Sequence, residues 1–217
     1  MKYEELGKGV VRRTEKRVIG LFIDGTGLDR ATRRINRKVD MASLVRGVTS
    51  GTPPVVARYY TLIPYEDDSR QRAFLDAVTR AGLRVVVKRL PPKGVNRQVS
   101  VDIEMAADMV AFSLGHSSFS SLSEYSTEGG YHEGPTTPAP RPAATPAETA
   151  PLGASRPENR IITVVCPSRD LAYPISLVKE LGVDTISADF GQFNAGDVLK
   201  SAAKWIDLSD SETIWRE

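Results

Sequence analysis

Three aspartates fall where an open α/β sheet does its chemistry. Asp24 ends the apolar run Val18 to Ile23 and is followed by Gly25, Thr26 and Gly27. Asp170 comes shortly after Ile161 to Val165 and Cys166, and Asp102 opens a helical pattern beyond Val85-Val86-Val87. Such apolar runs read as strands buried on both faces, as in a parallel sheet. The carboxyl ends of those strands border the crevice in which ligands bind. Three carboxylates gathered there would repel one another unless a cation shared them, so the residue types point to a divalent-metal site. Asp108 is a fourth candidate ligand, but it lies roughly 120° around a helix from Asp102 and need not face the same point. Each acid also has a purely structural use. Asp24 and Asp170 precede helical segments as N-caps would, and Asp102 at a helix start complements the dipole. Gly25, Thr26 and Ser168 belong to loops beside the acids, where small polar residues orient a water or phosphate or satisfy backbone groups. Glu104 and Asp29 are expected to face solvent.

Cations crowd the same segments. Arg30, Arg33, Arg34, Arg37 and Lys38 follow Asp24, while Lys88, Arg89, Lys93 and Arg97 precede Asp102. They flank the expected crevice and could hold a polyanion's phosphates. Ordinary solvated faces also carry such charges.

The elements that must position these groups alternate. A strand over 18–23 leads to a helical segment in which Val39, Leu44, Val45 and Val48 share a face. A β-branched and aromatic strand covers 55–61. Phe74, Leu75 and Val78 mark a helix over 69–81 that Gly82 ends. A strand over 83–90 and a helix over 101–112 follow. From 115 to 159 the chain is rich in Ser, Thr, Gly, Ala and Pro without apolar periodicity, and is expected to be disordered. Then come a strand over 161–166, a helix over 172–181, a strand over 183–187 and a last amphipathic helix over 195–208. This order implies an α/β fold with a doubly wound, mostly parallel central sheet in a three-layer sandwich.

With 217 residues the chain suits one core carrying an insertion, and its net charge of +2 gives no global polybasic signature. No apolar run is long enough to span a bilayer, and the first residues lack signal-peptide character, so no membrane association is expected. The single cysteine, Cys166, leaves no internal disulfide and fits a reducing, cytoplasmic location. It reads as a small buried apolar residue. A haloacid-dehalogenase phosphatase would need an acid where Phe22 stands, and the dinucleotide fingerprint fails because Arg30 takes the place of its third glycine.

Taken in order, three segments resemble the NYN, or LabA-like, family of the PIN-like nuclease superfamily. Asp24-Gly25-Thr26-Gly27-Leu28 is similar to its opening Asp-Gly-x-Asn-Leu. Lys93-Gly94-Val95 with Val101-Asp102-Ile103 and Asp108 is similar to its middle pattern. Cys166-Pro167-Ser168-Arg169-Asp170-Leu171 with Glu180-Leu181-Gly182-Val183 is similar to its third. Gly27 stands where the family carries asparagine, Asn96 to Ser100 are extra, and Ser168 stands where the family carries an acid. The expected organisation is an extension over 1–17, a domain split between 18–114 and 160–208, the insertion over 115–159 and a tail over 209–217. The resemblance implies a ribonuclease dependent on Mg²⁺ or Mn²⁺, with Asp24, Asp102 and Asp170 as catalytic metal ligands and RNA as partner, held by Arg30, Arg33, Arg34, Arg37, Lys93 and Arg97. An inactive RNA-binding or protein-interaction module is the alternative, which Ser168 and Gly27 favour. A small-molecule phosphotransferase using the Asp-Gly-Thr-Gly loop is a third. Self-association or a protein partner is left open.

Overall fold

The computed structural model describes residues 17–65, 69–117, 159–193 and 196–216. In chain order the elements are β1 (Val18–Asp24), α1 (Gly25–Ile35), α2 (Met41–Val48), β2 (Val56–Ile63), α3 (Ser69–Arg80), β3 (Arg84–Arg89) and α4 (Asp102–Ser113). β4 (Arg160–Val165), α5 (Ala172–Glu180), β5 (Asp184–Asp189), α6 (Gly196–Ser201) and β6 (Lys204–Asp207) complete them. Short 3₁₀ turns cover Arg169–Leu171 and Gly191–Phe193.

The six strands form one parallel sheet in the order β3-β2-β1-β4-β5-β6. Every residue of β1 is buried because helices cover both faces. Alternation along β1 sends Leu21 and Ile23 into a core shared with Leu28, Ala31, Met41, Leu44, Leu75 and Val78 of α1, α2 and α3. Val18 and Phe22 go to the opposite core, with Met105, Met109 and Phe112 of α4, Ile175 and Val178 of α5, and Val198 of α6. The result is the expected three-layer α/β sandwich. From β1 the chain winds outward through β2 and β3, then returns to β4 and winds the other way. Strand order therefore reverses between β1 and β4, and a crevice opens outside their carboxyl ends.

Two elements differ from the sequence reading. A helix not expected from the sequence, α1, starts at once after β1, at Gly25, and the helical segment expected to include Val39 begins only at Met41, as α2. Val39 lies between them in an antiparallel bridge with Trp215. The single last helix over 195–208 is corrected to a short α6 followed by β6. Val198, Leu199, Ala202, Trp205 and Ile206 satisfy a helical period, but Ala203 N donates to Thr185 O at 3.1 Å and to its Oγ1 at 2.9 Å. That pairing ends the helix and sends 204–207 alongside β5. Beyond β6 the chain is no loose tail: Ile214 is buried in the core with α2, and Asp40 N donates to Ile214 O at 2.8 Å. The expected extension up to residue 16 and nearly all of the insertion lie outside the described residues.

Candidate active site

Asp24 is placed by the register of β1, whose Ile23 pairs with Val165 of β4 on one side and Tyr59 of β2 on the other. Its φ and ψ of −74° and 97° are extended, as an N-cap requires, and its Oδ1 accepts from Thr26 N and Gly27 N, both at 3.0 Å. The carboxyl is almost fully buried. Burial is the main force pushing its pKa up to about 6; the charge of Asp102 adds to this, while the two backbone N–H groups and Arg30 pull the other way. Asp24 and Asp102 thus sense each other across the crevice, and Arg30 sits within electrostatic reach.

The two glycines after Asp24 are required by close approach. A Cβ on Gly25 would lie 2.5 Å from Tyr59 Oη, and one on Gly27 only 2.2 Å from Cys166 O. Gly27 therefore lets α1 press against the end of β4. Cys166 there adopts φ 50°, an uncommon left-handed conformation for a residue with a side chain. Its thiol is buried, and burial followed by the neighbouring Asp189 charge raises its pKa well above the usual thiol range.

Asp102 opens α4, which packs on β1 and β4. Its backbone N–H donates to Ser100 Oγ at 2.9 Å, and Ser100 Oγ hydrogen-bonds Asp102 Oδ2 in return. Lys88 from the end of β3 holds this entry, donating to Ser100 O at 2.8 Å and pairing with Glu104 Oε1 at 2.7 Å. Glu104 is thereby corrected from a solvent-facing residue to a half-buried partner. Asp29 does face solvent, paired with Arg33 at 3.0 Å.

Asp108 is spent elsewhere. Its Oδ2 accepts from buried Arg58 at 2.8 Å and from Tyr60 Oη at 2.6 Å, bonds that fasten α4 to β2 and occupy that oxygen. Asp170 lies exposed in the 3₁₀ turn after β4. Ser168, just before that turn, keeps its Oγ buried with no hydrogen-bond partner. Among the described residues no three His, Cys, Asp or Glu side chains come together closely enough to hold a metal ion. What the fold assembles is a pair, Asp24 with Asp102, and the orphaned hydroxyl of Ser168 lies beyond β4, on the other strand bordering the crevice. A pair of carboxylates whose repulsion a cation would relieve, completed by water and phosphate oxygens, fits a hard divalent ion.

The expected basic residues divide. Arg30, Arg33, Arg34 and Arg37 are all exposed on or just past α1. Arg34 lies over Phe193 and Arg37 over Trp215. Lys93 and Arg97 are exposed in the loop before α4, whereas Lys88 is engaged as above and Arg89 donates to Tyr65 O at 3.2 Å. One edge acid escaped the sequence reading. β5 runs two residues past its expected end, to buried Asp189, which accepts from Phe190 N at 2.7 Å. Burial, the dominant effect, raises the pKa of Asp189. The signal that could have found it is the acid closing the run Thr185-Ile186-Ser187-Ala188, the same grammar as Asp24.

No curated protein matches this chain. The crystal structure of a protein of unknown function from Vibrio parahaemolyticus is similar at TM-score 0.64 and 10% identity, covering 94% of this chain and 98% of that one. At that identity the likeness shows the fold alone. The family model described as the NYN domain matches residues 18–120, a span that includes Asp24, Asp102 and all of α1 through α4. PIN-like nucleases generally use divalent metal ions, in keeping with the acidic pair. The chain accordingly carries an NYN domain, of the PIN-like nuclease superfamily.

Proposed function

We propose that this protein is a metal-dependent ribonuclease that hydrolyses RNA phosphodiester bonds in the crevice outside β1 and β4. The observation that carries this reading is the buried carboxyl of Asp24, raised to about 6 in part by Asp102, at the point where strand order reverses. Asp24 and Asp102 would hold Mg²⁺ or Mn²⁺, with Asp170, exposed in the turn after β4, as the third candidate. The ion, when bound, would polarise a phosphoryl oxygen and lower the pKa of a coordinated water. Ser100 and Lys88 keep Asp102 at the start of α4, and the α1 amides keep Asp24 ionisable despite its burial. Arg30 neutralises a phosphate entering beside them and fixes the backbone without reading sequence. The glycine loop is less suited to a phosphotransferase, since the Thr26 and Gly27 amides that would cradle a phosphate are taken by Asp24 Oδ1.

A non-catalytic RNA-binding module is the second reading, favoured by the lack of a three-acid group among the described residues. Incubation of a labelled RNA with Mn²⁺ separates the two. The nuclease reading expects cleavage that Asp24→Asn abolishes and EDTA blocks. Cleavage unchanged by Asp24→Asn, or binding with no cleavage at any Mn²⁺ concentration, refutes it.

A further inference from the structure

Two exposed arginines of the α1 region are mounted on aromatic rings. The guanidinium of Arg34 lies 5.3 Å from the ring centre of Phe193, and that of Arg37 lies 4.1 Å from the ring centre of Trp215. Trp215 packs on Phe190 at 5.7 Å, and Phe193 N donates to Phe190 O at 2.8 Å, so both mounts belong to one aromatic cluster. The bridge from Trp215 to Val39 and the bond from Arg216 N to Lys38 O, 2.8 Å long, fix that cluster against the end of α1. Cation–π contact settles the plane of a guanidinium while leaving its N–H fork free at the edge. Arg33 is tied to Asp29 at 3.0 Å, whereas Arg34 and Arg37 have no acidic partner among the described residues. Arg30 and Arg34 are one turn apart on α1, and Arg37 follows directly after the C-cap Asn36. At about 1.5 Å per residue Arg30 and Arg34 lie roughly 6 Å apart along α1, Arg30 at mid-helix within electrostatic reach of the Asp24 that caps its start, and Arg37 extends the row just past its end.

We propose that Arg30, Arg34 and Arg37 form a track for the phosphate backbone of single-stranded RNA, leading from the Asp24 crevice to the cluster of Phe190, Phe193 and Trp215. A single row of cations suits one backbone, whereas a duplex calls for contacts across a groove. The aromatic mounts pre-pay the ordering of the two outer side chains, so the track binds better than equal charge on free stems would. This rests on the RNA reading above for the class of ligand, but not on catalysis.

The test is binding of a short fluorescent single-stranded RNA to the full chain in EDTA, over a range of salt concentrations. The double variant Arg34→Met/Arg37→Met should flatten the dependence of log affinity on log salt by about 1.4, since each single-strand phosphate contact contributes roughly 0.7. Arg34→Lys/Arg37→Lys should keep the wild-type slope and still bind several-fold more weakly, because charge survives and the stacked plane does not. Phe193→Leu should behave like the arginine half of that change, with both charges present. An unchanged slope in the methionine variant overturns the track, as does a lysine variant that binds like wild type, or a duplex RNA that binds as tightly with the same arginine dependence. Cleavage is silent in EDTA, so the two readings fail separately. Arginine-dependent binding by a protein that never cleaves leaves the track standing, and cleavage by a methionine variant of unchanged affinity removes the track alone.

Discussion

Replacing Asp24 by asparagine should stabilise the metal-free protein at neutral pH and do little in acid. The carboxyl moves from an ordinary 3.8 to about 6, chiefly through burial. The native state thus binds a proton more tightly than the unfolded chain, and stability falls as pH rises through the window between those two values. Above it, the ionised group costs the fold at most about 3 kcal/mol, at roughly 1.4 kcal/mol per unit. Asparagine is isosteric with the neutral acid, and its carbonyl can still accept from Thr26 N and Gly27 N, so the cap is retained. At about 2–4 °C per kcal/mol for a domain of this size, Asp24→Asn should melt about 5–10 °C above wild type near pH 7.5 in EDTA. Near pH 4 the gap should shrink to under about 1 kcal/mol, because the native carboxyl is then protonated and the pH lies at the bottom of the window, where the unfolded carboxyl is only about half ionised. Differential scanning calorimetry at the two pH values measures this. Saturating Mn²⁺ should close the neutral-pH gap from the wild-type side only. A variant melting at or below wild type near pH 7.5, or a gap independent of pH, would refute the argument that Asp24 is a buried, frustrated acid.

Three further outcomes are expected. Gly27→Ala places a Cβ 2.2 Å from Cys166 O, a backbone atom that cannot step aside cheaply, so urea unfolding should show a loss of about 1–3 kcal/mol. Ile214→Ala, in a segment the sequence presents as a tail, empties a side chain that is only 1% exposed and should cost about 2–5 kcal/mol by the same measurement. Excision of Ser117 to Arg156 with a short flexible linker should leave the melting temperature within about 2 °C of wild type, because loop closure depends only weakly on length. The two flanks already meet there, Arg160 donating to Phe112 O and Gly115 O, both at 3.2 Å.

The parallel sheet was legible because its strands are short apolar runs of β-branched residues, and burial on both faces leaves such runs little alternative. β6 was not, since Trp205 and Ile206 continue a helical period from Val198; only the long-range bonds from Ala203 to Thr185 decide against it. α1 was missed for the converse reason: Arg30, Arg33, Arg34 and two glycines leave it few apolar residues, and its core-facing stripe is only Leu28, Ala31 and Ile35 behind the Asp24 cap. Among the acids, strand-end position announced Asp24 and would have announced Asp189 had the length of β5 been legible. Helical spacing already set Asp108 apart from Asp102, but the partner that claims it, Arg58, lies 50 residues away on β2 and could not be read from the sequence. Convergence in space is set by such distant partners, and spacing along the chain does not encode it.

Asp24 also shows why capping and ligation are not competing explanations for one carboxylate. Both α1 amides bond to Oδ1, which leaves Oδ2 for the crevice. That division depends on Gly27, whose absent Cβ would stand 3.0 Å from Asp24 Oδ2 as well as against Cys166 O. A larger residue there must push α1 off the end of β4 or crowd the free oxygen, and either change alters the acid that faces Asp102. The glycine that departs from the family's asparagine is therefore built into the spacing between α1, β4 and Asp24. On this argument Gly27→Asn alone should impair this fold, and restoring the family's residue would need a compensating shift at Cys166.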